Sequence, residues 1–556
     1  MSNFTDGLNS EQARAVTHAD GPLLILAGAG SGKTKTLTHR IAYLIGELKI
    51  FPSRILAVTF SNKAAKEMRQ RLAQILGEDS ENRQFMPWMG TFHSICVRML
   101  RMDGENIGLN KRFLIYDTDD QISLMKQIMK ARGLTDKDIK PRAVLSAISN
   151  AKNEMRNAED FSTSTRGPRE RKIAELFFAY EKALKDASAL DFDDLLIKTV
   201  ELLRNKPDIR HKWQQQFEHI LIDEYQDTNA VQYALIKLLV NSRRNLCVVG
   251  DDAQSIYSFR GADYTNILNF ERDFPGTTVV KLEQNYRSTG AILNMANALI
   301  SHNIHRTDKN LWTANGDGVE PKLWQLYNES EEALAIANEI QAQIANGRQY
   351  GDVAVLYRTN AQSYAIERAL RQSYIPYKIV GGLRFLDRAV VKDLLAYLRL
   401  LYQPSDRVSF LRVVNTPKRG VGAVSISKFL DWNDVSGRDI ISGLLAVDEA
   451  DALTARTKRP LLEFGQKLHD LQQEIDGSPA ELIEKIMKST GYEDFINDGT
   501  PQAEERMENI GVLLSEAKAY VDVATFLEEM ALMSSTDTTA DQQVTLMTLH
   551  AAKGLE

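Results

Sequence analysis

Cysteine is nearly absent from this sequence. Only Cys96 and Cys247 occur among 556 residues, and their spacing fits neither a disulfide framework nor a zinc site. This scarcity indicates a reducing compartment. No apolar run approaches the roughly 18 residues of a membrane helix, and residues 1–20 lack the apolar core of a signal peptide. We therefore expect a soluble, intracellular protein located in the cytoplasm and without a membrane partner.

The sequence also lacks an excess of positive charge. The 68 Lys and Arg residues are outnumbered by 74 Asp and Glu residues, so the formal net charge is −6. This total argues against nucleic acid as a partner, although an acidic ATPase can still present a basic groove. With 43% hydrophobic and 26% charged residues, disordered and fibrous classes are excluded, and the length predicts three or four domains.

Short apolar runs ending in Gly, Asp or Thr predict buried parallel strands, each followed by a helix-like stretch. The first set of runs lies at 23–28, 55–60, 219–224, 245–251 and 278–285. The second set lies at 321–328, 353–359, 377–382 and 544–550. Long helix-patterned segments lie between them, at roughly 111–188 and 386–535. The predicted fold class is α/β, with two α/β domains that are each interrupted by a mainly helical insertion.

A glycine-rich turn in "LLILAGAGSGKTKTLTHRIAYLI" (23–45) predicts a phosphate-binding loop. Its glycines let the backbone wrap closely, so that N–H groups and a helix N-terminus point at phosphate. Lys33 is expected to reach the β- and γ-phosphates, and the Thr34 hydroxyl to ligate Mg²⁺. A strict motif starts with Gly where this chain has Ala27, and a turn without a ligand is the alternative. The candidate nucleotide-binding residues of the loop are Ala27, Gly28, Ala29, Gly30, Ser31, Gly32, Lys33, Thr34 and Lys35.

The stretch "HILIDEYQDTN" (219–229) is an apolar strand that ends in two carboxylates. A carboxylate at a strand tip beside a phosphate loop is placed to hold Mg²⁺, and a second can deprotonate the attacking water. We assign Asp223 to the metal and Glu224 to the general base. An exposed acidic turn is the alternative, and the upstream Lys33 argues against it.

The stretch "VVGDDAQSIYSFRGAD" (248–263) combines a strand, two acids and an amide with aromatic residues. Gln254 is expected at the γ-phosphate or the attacking water. Tyr257 and Phe259, interleaved with Arg260, are candidates for stacking on single-stranded bases, at about 1–3 kcal/mol for each base. Packing of both aromatic side chains in the core is the alternative.

The stretch "LEQNYRS" (282–288) connects the two predicted α/β domains. An Arg delivered from a neighbouring domain onto the γ-phosphate acts as an arginine finger. Arg287 is the candidate for this role, and Tyr286 is the candidate for stacking on the nucleotide base. A surface salt bridge is the alternative for Arg287. The catalytic candidates are therefore Lys33, Glu224, Gln254 and Arg287.

In this order, these stretches resemble the UvrD/PcrA/Rep-type DNA helicases of superfamily 1, from "LNSEQARAV" (8–16) to the last residue. The resemblance implies an ATP-dependent 3′→5′ translocase that unwinds duplex DNA at single/double-strand junctions, in repair or replication. It also implies RecA-like domains, at 1–110 with 189–280 and at 281–385 with 541–556, and helical insertions at 111–188 and 386–540. Unidentified repair or replication proteins are possible partners.

The resemblance also assigns individual residues. Gln12 is expected to read the adenine edge, and Glu556 to contact the ribose. The expected DNA contacts beyond residues 248–263 are Phe60, Asn62, Thr91, His93, Arg358, Asn360, Lys418 and Arg419. Because "LMTLHAAKGLE" (546–556) resembles only the first part of the fifth helicase motif, we expect the second RecA-like domain to be incomplete.

Three alternatives to a working helicase remain open at this point. An ATP- and DNA-binding module without unwinding activity fits the same motifs if the motor is incomplete. A P-loop kinase or transporter ATPase explains neither residues 248–263 nor the paired insertions. RNA instead of DNA is compatible with stacking and phosphate contacts alone.

Overall fold

The computed structural model describes residues 4–82, 84–135, 138–258, 261–304, 306–380, 385–534 and 543–555. The chain forms two compact units, Met1–Leu323 and Trp324–Leu555. Both are α/β, as the sequence predicts. Within the described residues, every helix is too short or too polar to span a membrane.

The first unit is built on a six-stranded parallel sheet in the order β3-β2-β6-β7-β1-β8. The five apolar runs predicted for this domain all form strands of it. Two further parallel pairs, β4 with β5 and β9 with β10, complete the unit. The strands are β1 (Leu23–Ala27), β2 (Ile55–Thr59), β3 (Met89–Thr91), β4 (Leu114–Ile115), β5 (Ala189–Leu190), β6 (His219–Ile222), β7 (Leu246–Gly250), β8 (Thr278–Leu282), β9 (Gln284–Asn285) and β10 (Trp312–Thr313).

Alternation along β1 shows why its sequence is apolar throughout. Leu24 and Leu26 pack in a core on one face of the sheet, whereas Leu23 and Ile25 pack in a second core on the other face. Helices cover both faces, which is why a parallel strand carries no polar side. The helices of this unit are α1 (Ser10–Thr17), α2 (Lys33–Gly46), α3 (Asn62–Leu76), α4 (Phe92–Asp103), α5 (Thr118–Ala131), α6 (Pro141–Asn153), α7 (Ala158–Thr163), α8 (Pro168–Asp186), α9 (Phe192–Asn205), α10 (Pro207–Gln216), α11 (Ala230–Leu239), α12 (Thr265–Leu268), α13 (Phe270–Asp273) and α14 (Gly290–Ile300).

In the described part of segment 111–188, helices α5 to α8 pack around their own core, in which Phe177 and Tyr180 are fully buried. This segment follows α4 and ends before β5, and it lies within the first unit. The division between the two units falls at Leu323, so β8 to β10 and α14 belong to the first unit.

The second unit has a three-stranded parallel sheet in the order β11-β13-β12. Helices α17 to α25 form a large helical body, and its core includes Tyr397, Phe410 and Phe464. The elements are β11 (Ala354–Tyr357), β12 (Tyr377–Val380), β13 (Val544–Thr548), α15 (Glu329–Ala345), α16 (Ser363–Gln372), α17 (Ala389–Tyr402), α18 (Arg407–Val413), α19 (Ala423–Ser436), α20 (Ile440–Leu445), α21 (Ala455–Gln472), α22 (Pro479–Thr490), α23 (Tyr492–Ile496), α24 (Pro501–Ala517), α25 (Val523–Ser534) and α26 (Leu549–Ala552).

One strand that the sequence predicts in the second set of apolar runs is wrong. Residues 321–328 form no strand, and Leu323 and Tyr327 are 97% and 90% exposed. The alternating pattern fits a strand, but a strand also needs hydrogen-bonding neighbours, and none of the described strands pairs with these residues.

Candidate active site

The strand order brings the predicted catalytic segments to one edge of the first sheet. The strands β6, β7 and β1 are neighbours, and they run parallel. The loops after their carboxyl ends therefore meet, which is where open α/β sheets bind ligands. These loops carry the acidic pair at 223–224, the segment 251–257 and the glycine-rich loop.

The glycine-rich loop adopts a conformation that its glycines make possible. Gly30 and Gly32 have φ angles of 67° and 82°, in the left-handed region that side chains disfavour. A Cβ on Gly30 would lie 2.6 Å from Asn285 Nδ2. Ala27 ends β1 and is fully buried in the core, so a methyl group at this departure from the strict motif is accommodated by packing.

Helix α1 holds Gln12 against this loop. Asn9 and Gln12 form a capping box at the start of the helix. The Gln12 side chain is buried, and its Nε2 donates to the Ser31 carbonyl at 2.9 Å. Ser31 Oγ donates to the Gly28 carbonyl at 2.7 Å. Lys35 is exposed at the start of α2, and its ammonium donates to the Gly7 carbonyl at 2.8 Å.

Lys33 lies between two of the predicted catalytic side chains. Its Nζ donates to Gln254 Oε1 at 2.9 Å, and it lies 3.8 Å from Glu224 Oε2. The three groups come from three segments that are more than 20 residues apart in sequence. An ammonium, a carboxylate and an amide therefore share one site, and such groups are able to bind phosphate, accept a proton and orient water, respectively.

The two carboxylates after β6 are in an electrostatically strained arrangement. Burial, followed by the charge of Glu224, raises the pKa of Asp223 to about 7. The backbone N–H of Glu224 donates to Asp223 Oδ1 at 3.0 Å. Glu224 itself has a φ of 51°, an unfavourable angle for a residue with a side chain and one that occurs often at functional sites.

These groups fit Mg²⁺. The cation takes hard oxygen ligands and usually keeps waters and phosphate oxygens, so a few protein donors suffice. The Asp223 carboxylate and the Thr34 hydroxyl at the start of α2 supply such donors. A divalent cation would also relieve the repulsion between Asp223 and Glu224.

Strand β9 and the turn after it lie over the glycine-rich loop. Asn285 is buried, and its Nδ2 donates to the Ala29 carbonyl at 2.6 Å. The Tyr286 N–H donates to the Gly30 carbonyl at 2.9 Å. A Cβ on Gly30 would lie 2.8 Å from the Arg287 Cβ, so the Arg287 backbone also lies beside the loop. Tyr286 is 48% exposed, and its hydroxyl accepts from Asn9 Nδ2 at 2.8 Å.

Two predicted base-stacking residues of the first unit lie together. The Phe60 and Tyr257 rings stack with centroids 5.2 Å apart and planes 13° apart. Phe60 follows β2 and is 42% exposed. Phe259, Arg260 and Glu556, which the sequence also predicts as site residues, lie outside the described residues.

The remaining DNA candidates of the first unit lie at helix N-termini. Asn62 is the exposed first residue of α3. Thr91 caps α4, and its Oγ1 accepts from the Ser94 N–H at 3.3 Å. His93 packs edge-on against Phe192, with ring centroids 6.1 Å apart, and burial lowers its pKa below the usual value. A neutral imidazole serves as a hydrogen-bonding group and not as a phosphate-binding cation.

In the second unit, two candidates at the end of β11 make side-chain contacts. Arg358 Nη1 lies 3.1 Å from His550 Nδ1, which brings residues after β11 and β13 together. Asn360 Nδ2 donates to Glu505 Oε1 at 2.7 Å. Both residues lie where parallel strands end, in a loop position suited to a ligand.

The pair Lys418 and Arg419 divides into one exposed and one inward residue. Lys418 is exposed. Arg419 Nη1 donates to the carbonyls of Val413 and Val414, at 2.7 and 3.0 Å. Its guanidinium also lies 3.9 Å from the centroid of the Phe464 ring. The Arg419 side chain therefore supports the turn from within, in contrast to the phosphate contact expected from the sequence.

Sequence reasoning missed two residues that organise the site. Asn285 bridges to the glycine-rich loop, and Gln226 Nε2 donates to Glu224 Oε2 at 2.6 Å. Both stand within two residues of a predicted catalytic residue, but the chain pattern does not show where a side-chain amide points. Only the neighbourhood of Glu224 and Arg287 could have indicated them.

A glycine-rich loop, an acidic pair and an amide at the edge of a parallel sheet define a P-loop nucleoside triphosphatase. The UvrD/REP helicase N-terminal domain model matches residues 8–275, and the UvrD-like helicase C-terminal domain model matches residues 280–556. The chain therefore belongs to the UvrD/PcrA-type helicase family and is an ATP-dependent DNA helicase.

Two curated relatives illustrate the extent of the similarity. The chain is 44% identical to the ATP-dependent DNA helicase PcrA of Leuconostoc citreum, with 100% of this chain and 76% of the relative covered. It is also 44% identical to the ATP-dependent DNA helicase PcrA of Bacillus subtilis, with 100% and 77% covered.

Proposed function

We propose that this helicase moves 3′→5′ along single-stranded DNA, opens duplexes at single/double-strand junctions, and serves DNA repair or replication. The direction and the junction preference rest on the resemblance of the ordered motifs to the helicase family. Partner proteins from repair or replication, and a location in the cytoplasm, belong to the same proposal.

The position of Lys33, close to Gln254 and Glu224, carries the proposed mechanism. The Lys33 ammonium binds the β- and γ-phosphates once nucleotide replaces its contact with Gln254. Glu224 accepts the proton of the attacking water, and Gln254 orients that water. Because Glu224 and Gln254 lie at the same edge of the sheet, they position the water before the reaction begins.

The nucleotide is held by three further groups. Gln12, fixed against the Ser31 carbonyl, reads the adenine edge, and Tyr286 stacks on the adenine. Arg287 neutralises charge on the γ-phosphate in the transition state, a role worth about 10³- to 10⁵-fold in rate. Asp223 and Thr34 hold Mg²⁺, which would neutralise phosphate charge when bound.

Phe60 and Tyr257 supply a stacking surface for single-stranded bases. Asn62, Thr91 and His93 at helix N-termini are placed for sugar and phosphate contacts, with Phe259 and Arg260 as further candidates. In the second unit Arg358 and Asn360 are the candidates for the single strand, and Lys418 for duplex backbone. Arg419 supports the turn that carries Lys418.

ATP hydrolysis by this chain, with and without single-stranded DNA, tests the proposal. We expect DNA to stimulate turnover, and Lys33→Ala to abolish it while nucleotide-free binding of single-stranded DNA survives. Loss of DNA binding in the Lys33→Ala variant would contradict the assignment of Lys33 to phosphate. A duplex with a 3′ single-stranded tail should be unwound in preference to one with a 5′ tail, and the reverse preference would refute the direction.

A further inference from the structure

A single buried residue contacts both glutamines of the active site, one through its carboxylate and the other through its backbone N–H. Asp251, directly after β7, is 3% exposed. Its Oδ2 accepts from Gln254 Nε2 at 2.6 Å, and its backbone N–H donates to Gln226 Oε1 at 3.0 Å. Gln226 is fully buried. Asp251 therefore contacts one amide beside Lys33 and one amide beside Glu224.

These contacts fix which way each amide points. A carboxylate only accepts hydrogen bonds and an ammonium only donates them. Gln254 must therefore turn its NH₂ to Asp251 and its carbonyl oxygen to Lys33. Gln226 must turn its carbonyl to the Asp251 N–H, so its NH₂ faces Glu224 Oε2 at 2.6 Å. Displacement of the Asp251 carboxylate would release the Gln254 amide, whereas Gln226 would remain bound to the Asp251 backbone N–H.

The Asp251 carboxylate is itself held by a lysine from a distant segment. Lys309 lies between α14 and β10, and its side chain is 9% exposed. Its Nζ pairs with Asp251 Oδ1 and lies 2.6 Å from Asp252 Oδ1. Burial opposes ionisation of Asp252, but hydrogen bonds from Lys309 and Thr307 outweigh it and lower its pKa below the usual value.

Without this cation, two adjacent carboxylates would repel each other in a site with little water. Such a pair responds by protonation or by movement. Either response changes what Asp251 offers to Gln254, because a protonated carboxyl can donate. Loss of an Arg or Lys on the surface would disturb its partners less, because solvent screens surface charges.

We propose that Lys309 is a positioning residue for ATP hydrolysis, since its ammonium holds the Asp251 carboxylate, which in turn orients Gln254 toward Lys33. This inference rests on the proposed catalytic roles of these residues. Lys309 acts through Asp251 and does not touch the reacting atoms. Lys309 thereby becomes part of the hydrolytic machinery.

The test is steady-state ATP hydrolysis by the full 556-residue chain with saturating single-stranded DNA. Lys309→Met should lower kcat by about 10- to 100-fold, since displacement by roughly 1 Å can cost that much. The KM for ATP should change by less than about threefold, because phosphate binding by Lys33 remains. Lys309→Arg should restore most of kcat, whereas a loss of general packing would not be repaired by a longer cation.

Lys281→Met is the matched control. Lys281 is an exposed lysine of β8, and its ammonium donates to the carbonyl of Asp308, the immediate neighbour of Lys309. Its loss removes a lysine contact to the same segment without touching Asp251. We expect unchanged kcat and KM in this control.

Substitutions of Asp251 and Asp252 provide a second comparison, in which Lys309 itself is unchanged. Asp251→Asn and Asp252→Asn each remove one charge from the same ion-pair cluster, but it is the Asp251 carboxylate that accepts from Gln254 Nε2. Asp251→Asn should lower kcat as strongly as Lys309→Met, and Asp252→Asn much less. The double variant Asp251→Asn/Lys309→Met should be no slower than Asp251→Asn alone.

The inference is overturned if Lys309→Met keeps kcat within about twofold of the unaltered chain, a change too small for loss of orientation. It is also overturned if Asp252→Asn lowers kcat as much as Asp251→Asn does. This comparison tests the inference even if the Lys309→Met variant does not fold. If either of these results is obtained while DNA still stimulates ATP hydrolysis by the unaltered chain, the inference about Lys309 is wrong and the proposed function stands. Absence of stimulated turnover in the unaltered chain would refute both.

Discussion

Phe60 and Tyr257 stack face to face, with ring centroids 5.2 Å apart and planes 13° apart. They come from loops after different strands, β2 and β7, and no pattern along the chain pairs them. Together they form one aromatic surface, of which Phe60 is 42% exposed.

This stack predicts how single-stranded DNA affinity responds to mutation. Tyr257→Ala should weaken binding by about 1–3 kcal/mol, and Phe60→Ala by a similar amount. Because each ring supports the other, the double variant should lose less than the sum of the two. Fluorescence anisotropy at constant salt measures the affinity, with Tyr264→Ala as a control at another partly exposed tyrosine. If Tyr257→Ala leaves the affinity for single-stranded DNA unchanged, the Tyr257 ring serves packing and not base stacking.

Substitution of Arg419 should affect mainly stability, whereas substitution of Lys418 should affect mainly DNA binding. Arg419→Ala removes donors to the carbonyls of Val413 and Val414 and a contact with Phe464, so we expect the Tm to fall by several degrees. Lys418→Ala should leave the Tm unchanged and weaken duplex binding with a smaller salt dependence. A weakened affinity without thermal destabilisation in Arg419→Ala would show that its guanidinium does reach phosphate.

Arg40 should affect both stability and nucleotide choice. This α2 residue is 2% exposed, and its Nη1 donates to the carbonyls of Ala15 and His18 at the end of α1, the helix that carries Gln12. Arg40→Met should destabilise the protein by about 2–4 kcal/mol, because buried acceptors lose a charged donor. It should also reduce the preference for ATP over GTP in competition binding.

Arg14→Met on the same helix is the control, since Arg14 is exposed and pairs with Glu11. It should change neither quantity. Full retention of the ATP preference in a destabilised Arg40→Met variant would limit Arg40 to a structural role.

His219 predicts a loss of stability in mild acid. Burial, followed by repulsion from Arg40, lowers its pKa from 6.5 to about 4. The unfolded chain therefore binds the proton more tightly, so stability is lost as pH falls from about 6.5 toward 4. At pH 5 this residue alone should cost about 2 kcal/mol. His219→Gln should reduce the fall in Tm between pH 7.5 and pH 5.0, whereas a change at the exposed His211 should not. An equal fall in both variants would contradict the assignment to His219.

Local chemistry in the sequence predicted the elements that carry the nucleotide site. The aliphatic runs at 23–28, 219–224 and 245–251 each end in a phosphate-loop or acidic segment, and parallel strands place such ends at one edge. The proximity of Lys33, Glu224 and Gln254 follows from this rule. The strand predicted at 321–328 failed because periodicity describes one segment, whereas a strand also needs partners.

The sequence by itself determined which residue types stand at strand ends and helix starts, because periodicity, glycine and capping signals act over a few neighbouring residues. Only the tertiary structure decided which side chains meet across long separations. Lys309 holds Asp251, Phe60 stacks on Tyr257, and Arg419 turns inward to Phe464 because packing fixes their direction in space. Direction depends on every neighbouring element, and no short window of the chain contains that information.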